Sequence, residues 1–194
     1  MQLSTVFLNA LIATRGLATA LPKQHHARLT DIGVMGEISQ IPKDEIAPAG
    51  TETVFSEHTS PSHGLSKRVQ FGLCLGHDGV PSRTITKYKS DVGLVFDQIA
   101  QWNPRSQRTV GAHSSWRWSG PTFGGYNRVE IIVRNQDNCR DGTFTTGDLQ
   151  QFLALVLRDC SSTRSGWAFV SSDPVLVAII HDKSTNVPAA HLTC

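Results

Sequence analysis

The distribution of cysteine and tryptophan divides this chain into two unlike parts. All 4 cysteines and all 4 tryptophans lie within residues 69–194, and the preceding part has neither residue type. Disulfides restrict the unfolded chain, and indole rings bury large apolar areas, so both residue types belong to a packed domain. We therefore expect residues 69–194 to form one globular domain that is long enough to bury a core of its own.

The charge balance excludes two classes of protein. The chain has 18 Lys and Arg against 16 Asp and Glu, which gives a net charge of +2. This is too little to hold a polyanion through gross charge, so a nucleic acid is not an expected partner. It also argues against an acidic disordered chain. No apolar run reaches the roughly 18 to 20 residues of a membrane-spanning helix, so we expect no membrane span.

The first 20 residues have the pattern of a secretory signal peptide. Residues 3–12 are mostly apolar, and Ala18-Thr19-Ala20 places small residues at the −3 and −1 positions of a cleavage site. We predict cleavage after Ala20; the alternative is an uncleaved amphipathic helix. Export would make this an extracellular protein and would place its cysteines in an oxidising compartment.

Residues 21–68 are predicted to be a disordered pro-segment. They contain 4 of the 9 prolines, and their apolar residues are too sparse to offset the entropy lost on ordering. The segment ends in Leu65-Ser66-Lys67-Arg68, where the dibasic pair suits the acidic subsites of a subtilisin-like processing protease of the secretory pathway. This end resembles the Leu-x-Lys-Arg site of kexin-processed fungal secretory pro-proteins. Residues 69–194 would then be the mature domain.

Hydrophobic spacing in the mature domain predicts the order β-α-β-β-α-β. Alternation favours strands at 69–75, 109–119, 129–134 and 175–180. The helical repeat favours one helix that starts at Ser90 or Asp91 and a second that starts at Thr146 or Asp148. Two interleaved right-handed crossovers of this order give an α+β fold, a two-layer ferredoxin-like sandwich with an antiparallel sheet and both helices on one face.

The four cysteines allow three disulfide pairings. Their spacing lacks the C-x2-C pattern of a zinc site, and we expect neither a metal nor a cofactor. Neighbouring first and last strands, with Cys74 facing away from the helices, favour Cys74–Cys194 together with Cys139–Cys160. The pairing Cys74–Cys160 with Cys139–Cys194 also fits the ends of the predicted elements.

The precursor as a whole resembles secreted fungal effectors. The signal peptide, the pro-segment ending in Leu-x-Lys-Arg and a four-cysteine α/β domain carry this resemblance. The order of elements is similar to that of the virally encoded killer toxins of smut fungi and related effectors. Residues 147–153, a turn at Gly166 and the C-terminal Cys194 also resemble the necrosis-inducing effector family. The resemblance implies an extracellular virulence or toxin-like protein that binds a host or competitor protein or cell-surface target without enzymatic chemistry.

Candidate contact residues lie on two of the predicted strands. Tryptophan and arginine are enriched at the centres of interfaces, so an exposed Trp-Arg-Trp sequence would make a recognition patch. The alternative places both indole rings in the core and pairs the charged residues across strands in solvent. The candidates are Trp116, Arg117, Trp118, Arg128, Glu130 and Arg134.

A second hypothesis is a secreted ribonuclease-like protein, either active or degenerate. RNA cleavage without a metal needs a base, an acid and a cation, and Glu130, His181 and Arg128 would converge on the open sheet face. The C-terminal sequence is similar to the final strand and Cys of guanyl-specific fungal ribonucleases. A third hypothesis is a cell-wall or adhesion component, in which the pro-segment has no activating role.

Overall fold

A computed structural model describes residues 36–48, 70–76, 80–120, 128–172 and 174–194. The predicted signal peptide and both predicted cleavage sites, after Ala20 and after Lys67-Arg68, lie outside the described residues and stay predictions. Neither helix in the described ranges combines the length and apolar character that crossing a membrane requires.

The described residues contain two α-helices, eight strands and one short 3-10 helix. The α-helices are α1 (Ser82–Ala100) and α2 (Thr146–Asp159), and the 3-10 helix spans Lys43–Glu45. The strands are β1 (Glu37–Gln40), β2 (Gln70–Cys74), β3 (Gln107–Val110), β4 (Ser114–Ser119), β5 (Val129–Asn135), β6 (Gly142–Thr145), β7 (Gly166–Ser172) and β8 (Val175–Asp182).

Six strands form one sheet in the order β1-β4-β5-β8-β7-β2, in which all neighbours are antiparallel. β3 and β6 form a separate two-stranded sheet. The predicted α+β class, with an antiparallel sheet and two helices, is confirmed. The strand order differs from the ferredoxin-like one, because β7 lies between β2 and β8, which that order makes neighbours. The predicted order contains no strand between the second helix and 175–180, whereas β7 lies there and pairs with both β2 and β8.

Both helices pack on one face of the large sheet. Their buried side chains follow the helical repeat and join a single apolar cluster with inward residues of the sheet. The helix α1 begins at Ser82, about two turns before the predicted start, because Tyr88 extends its buried stripe. The members of this helix-side core include Tyr88, Val92, Val95, Ile99, Leu149, Phe152, Leu153, Val156, Trp116, Trp118, Ile131, Val133, Ala178 and Ile180.

The start of α2 is stabilised by its own sequence. The Thr145 hydroxyl accepts a hydrogen bond from the Asp148 backbone N–H at 3.1 Å, and the Asp148 carboxylate accepts one from the Thr145 N–H at 2.7 Å. This reciprocal capping box satisfies two backbone donors that the first turn would otherwise leave without partners. Of the two predicted starts, Thr146 is therefore correct and Asp148 is two residues late.

The disulfides are Cys74–Cys160 and Cys139–Cys194, with Cα–Cα distances of 5.4 and 5.5 Å. The pairing we favoured is therefore wrong, and the other pairing that fitted the elements is present. The register of β2 shifts between Phe71 and Leu73, which breaks the two-residue alternation we had assumed. Cys74 consequently packs against the helix-side core. Two disulfides suit a protein of an oxidising compartment.

Residues 36–48, within the segment predicted to be disordered, are ordered against the sheet. β1 pairs with β4, Ile41 is only 3% exposed, and Ile46 forms a bridge with Ala190. An edge strand presents unpaired backbone groups, so β4 can order a segment that has no core of its own. Gly36 has φ +136°, and a Cβ there would lie 2.1 Å from Trp116 Nε1, so this close approach requires glycine.

Candidate functional site

The helix-free face of the sheet carries a group of charged residues that we call the charged cluster. Side chains alternate along a strand, so burying Trp116 and Trp118 on the helix side directs Arg117 to the opposite face. The same alternation in β5 brings Glu130 and Arg134 there, beside His181 of β8. The charged cluster consists of Glu45, Arg117, Glu130, Arg134 and His181.

Glu130 joins three neighbouring strands at the centre of this cluster. It lies directly opposite His181 in the β5–β8 register, and the His181 Nε2 to Glu130 Oε2 distance is 3.0 Å. The same oxygen accepts a hydrogen bond from Arg117 Nη1 at 3.3 Å. Because these contacts span β4, β5 and β8, the head groups are held in place by the sheet.

Glu45 brings a carboxylate from the ordered segment 36–48 onto the same face. Arg117 Nη2 donates to both of its oxygens, at 2.7 and 2.6 Å. Arg134 also donates to Glu45 through Nη2, and to the Pro188 carbonyl through Nη1. The Arg134 side chain is 0% exposed, and Glu45 is its carboxylate partner among the described residues. One carboxylate therefore bridges two guanidinium groups.

The environment shifts the pKa of two members of the cluster. Burial alone would raise the pKa of Glu130, but the His181 hydrogen bond and the charges of Arg117 and Lys183 outweigh burial and lower it. Burial lowers the pKa of Arg134, and the Glu45 carboxylate opposes that effect. His181 Nδ1 and Arg134 Nε are both buried and have no hydrogen-bond partner among the residues that the structure describes.

The charged cluster borders a cleft of about 770 Å³. The cleft brings together acidic and basic groups on a part of the sheet that the helices do not cover. Within the described ranges, no three His, Cys, Asp or Glu side chains are grouped so that they could hold a metal ion. The cleft is lined by Asp44, Glu45, Arg117, Glu130, His181, Lys183, Thr185, Asn186 and Val187.

The structure separates the six candidate contact residues. Trp116 and Trp118 are 1% and 5% exposed in the helix-side core, the position we weighed against an exposed patch, so neither ring offers a contact surface. Arg117 and Glu130 line the cleft, and Arg134 lies buried beneath Glu45. Arg128 directly precedes β5 and is not among the residues that line the cleft.

The residues of the ribonuclease hypothesis are only partly brought together. Glu130 and His181 are in direct contact, but Arg117 occupies the position beside Glu130 that we had assigned to Arg128. Sequence reasoning missed Glu45, because we predicted its segment to be disordered. The run Ile38-Ser39-Gln40-Ile41, between Gly36 and Pro42, is the only local sign of an added strand.

Comparison with known proteins finds no protein-family model, no curated protein and no solved structure that matches this chain.

Proposed function

We propose that this chain is a secreted, proteolytically matured effector or toxin-like protein that acts by binding a host or competitor target. The observation that carries the proposal is the polar cleft on the helix-free face, where Arg117, Glu130 and His181 are held together by direct contacts. The two disulfides support export, because such bonds persist in oxidising compartments.

The preorganised cleft favours recognition because little side-chain freedom is lost when a partner binds. Within the mature domain, Arg117 is held by Glu130, and Glu130 is held by His181. Immobilising a long side chain at an interface typically costs about 0.5–1.5 kcal/mol. These contacts immobilise the side chains before a partner binds, so that cost does not reduce the affinity. Charged groups at fixed positions also give a partner orientation and specificity.

Charge reversal at the rim of the cleft tests target binding. Lys183 lines the cleft and is exposed, so Lys183→Glu changes the charge there without removing a buried contact. Its matched control is Arg83→Glu on the exposed start of α1. With labelled secreted protein on intact host or competitor cells, we expect Lys183→Glu to lower binding at least about tenfold and Arg83→Glu to leave it unchanged. Equal binding by both variants would remove the cleft from the proposal.

Processing after Ala20 and after Arg68 is part of the proposal and has its own measurement. The intact mass of the secreted product should correspond to a chain that starts at Val69. A product that starts at Leu21 would retain the whole segment 21–68, and processing at Lys67-Arg68 would then be rejected.

The second candidate function is ribonuclease-like cleavage, which the presence of a carboxylate, an imidazole and a guanidinium in one cleft, from Glu130, His181 and Arg117, favours. The Glu130 carboxylate would take the proton of the ribose 2′-hydroxyl as its oxygen attacks phosphorus. Protonated His181 would give a proton to the 5′-oxygen as the P–O bond breaks, and Arg117 would stabilise the phosphorane oxygens. The products would be a 2′,3′-cyclic phosphate and a 5′-hydroxyl.

Purified protein and a defined RNA test this second candidate. Cleavage that is lost in His181→Ala and kept in the control His191→Ala would support it. The variant Glu45→Gln is assayed beside the wild type, because the Glu45 carboxylate occupies Arg117. If neither protein cleaves RNA, catalysis is excluded and the binding function stands alone.

A further inference from the structure

The segment proposed to be removed supplies a central charge of the cleft. Glu45 lies between the two predicted cleavage sites, yet its carboxylate bridges Arg117 and Arg134. Backbone pairing of β1 with β4 and the buried side chain of Ile41 hold this carboxylate in position. Loss or displacement of the segment would therefore remove an anion from a built site.

The Arg134 guanidinium gives the position of the Glu45 carboxylate a preference for another anion. Its side chain is 0% exposed with segment 36–48 in place, and loss of that segment leaves the guanidinium with the Pro188 carbonyl but without its Glu45 carboxylate. A partly buried charge without a counter-ion is unfavourable, and Arg134 Nε already lacks a hydrogen-bond partner among the described residues. Arg134 therefore favours another anion at or near the position of the Glu45 carboxylate.

The charges that remain in the cleft after loss of segment 36–48 indicate which kind of anion would bind there. Without Glu45 and Asp44, the described residues at the cleft leave the positive side chains of Arg117, Arg134 and Lys183 with one carboxylate, that of Glu130. A phosphate monoester carries about −1.5 to −2 charges at pH 7 and several acceptor oxygens, which matches this excess better than a single carboxylate does. A planar guanidinium group can also donate two parallel hydrogen bonds to two oxygens of one phosphate.

We propose that Arg117 and Arg134 form a phosphate-binding site and that Glu45 fills it in the precursor. Segment 36–48 is thereby a self-inhibitory contact, and the ligand of the mature protein presents a phosphate group to the two arginines. This inference rests on the proposed function, since it concerns the same cleft, and it adds the chemical class of the ligand and the means of control.

Titration of the full chain with inorganic phosphate tests the inference directly. We compare wild type, Glu45→Gln and the control Asp97→Asn, which makes the same change from carboxylate to amide at an exposed position of α1, away from the cleft. Isothermal calorimetry should give a Kd for phosphate at least about tenfold lower for Glu45→Gln than for the other two proteins. Adding Arg117→Gln to Glu45→Gln should abolish that gain, and acetate should bind Glu45→Gln at least about tenfold more weakly than phosphate.

Three results would overturn the inference. Equal phosphate affinity for Glu45→Gln and Asp97→Asn would show that Glu45 does not mask the site. A gain that survives Arg117→Gln would place the anion elsewhere, and acetate that binds as tightly as phosphate would refute the ligand class.

A second variant covers the case in which Glu45→Gln perturbs folding. Ile41→Asp removes the buried anchor of the segment but keeps Glu45, so it should also increase phosphate affinity. No gain in this variant, with a circular dichroism spectrum like that of the wild type, would overturn the inference. Phosphate titration does not involve the cellular target, so its failure is separate from a failure of the Lys183→Glu binding assay.

Discussion

The two faces of the large sheet are built from the same strands but are organised by different forces. On the helix side, residues of α1, α2 and the six strands β3 to β8 form one continuous apolar cluster. On the helix-free side, a smaller apolar cluster of Ile132, Trp167, Val177 and Ile179 is accompanied by charged groups from three strands, which meet a carboxylate from a distant segment. The comparison indicates that the apolar contacts of the helix side supply most of the stability, whereas the contacts of the charged cluster fix the positions of its head groups relative to one another.

The physical reason is that the two kinds of contact respond differently to burial. Removing apolar surface from water stabilises the folded state by roughly 25 cal/mol per Å², and this contribution depends on the buried area more than on the orientation of the groups. A buried ion pair roughly breaks even, because desolvation opposes the attraction between the charges. Buried Arg134 is therefore weak evidence for stability, and its retention fits a role in recognition better.

The largest expected effect is on the helix side. Phe152→Ala on α2 empties a fully buried site, and we expect it to lower the free energy of unfolding by about 3–5 kcal/mol, the usual range for such a cavity. Denaturant unfolding measures this. The control Arg158→Ala, on the exposed part of the same helix, should leave the free energy of unfolding nearly unchanged, because exposed ion pairs contribute little. Similar losses in both variants would refute the assignment of stability to the helix side.

We expect Glu45→Gln to cause an intermediate loss of stability that is confined to segment 36–48. It leaves buried Arg134 without its partner, and since Glu45 itself is partly exposed we expect a loss of about 2 kcal/mol, below the usual range for a buried pair. Hydrogen exchange should quicken in β1 and stay unchanged in α2, because the segment can detach while the core remains folded. Exchange that rises equally in α2 would show that the two faces are one cooperative unit.

The smallest expected effect is the pH dependence of the Glu130 contacts. Because the folded-state pKa of Glu130 lies below its ordinary value of 4.5, its stabilisation is present above that value and is lost as pH falls through the folded-state pKa. Glu130 is partly exposed, so the change is at most about 1 kcal/mol. Thermal unfolding between pH 7 and pH 3, run on wild type and Glu130→Gln, measures it; parallel curves would contradict this assignment.

The helix-side face was largely predictable because its signals are local. The spacing of Leu149, Phe152, Leu153 and Val156 predicts α2, and Thr145 with Asp148 sets its first turn. Alternation about Trp116-Arg117-Trp118 gave two choices, and burial of the rings selects one. In each case the decisive residues are within a few positions of one another, so a short window of sequence contains the pattern.

The disulfide pairing, the position of β7 and the charged cluster depended on contacts between distant parts of the chain. A register shift in β2 turned Cys74 toward Cys160, and no alternating pattern indicates such a shift. Glu45 and Arg134 are far apart in sequence, and their pairing exists because β4 has a free edge that orders residues 36–48. Local composition measures how well a segment can order itself, whereas a neighbouring strand can order a segment that would not fold alone.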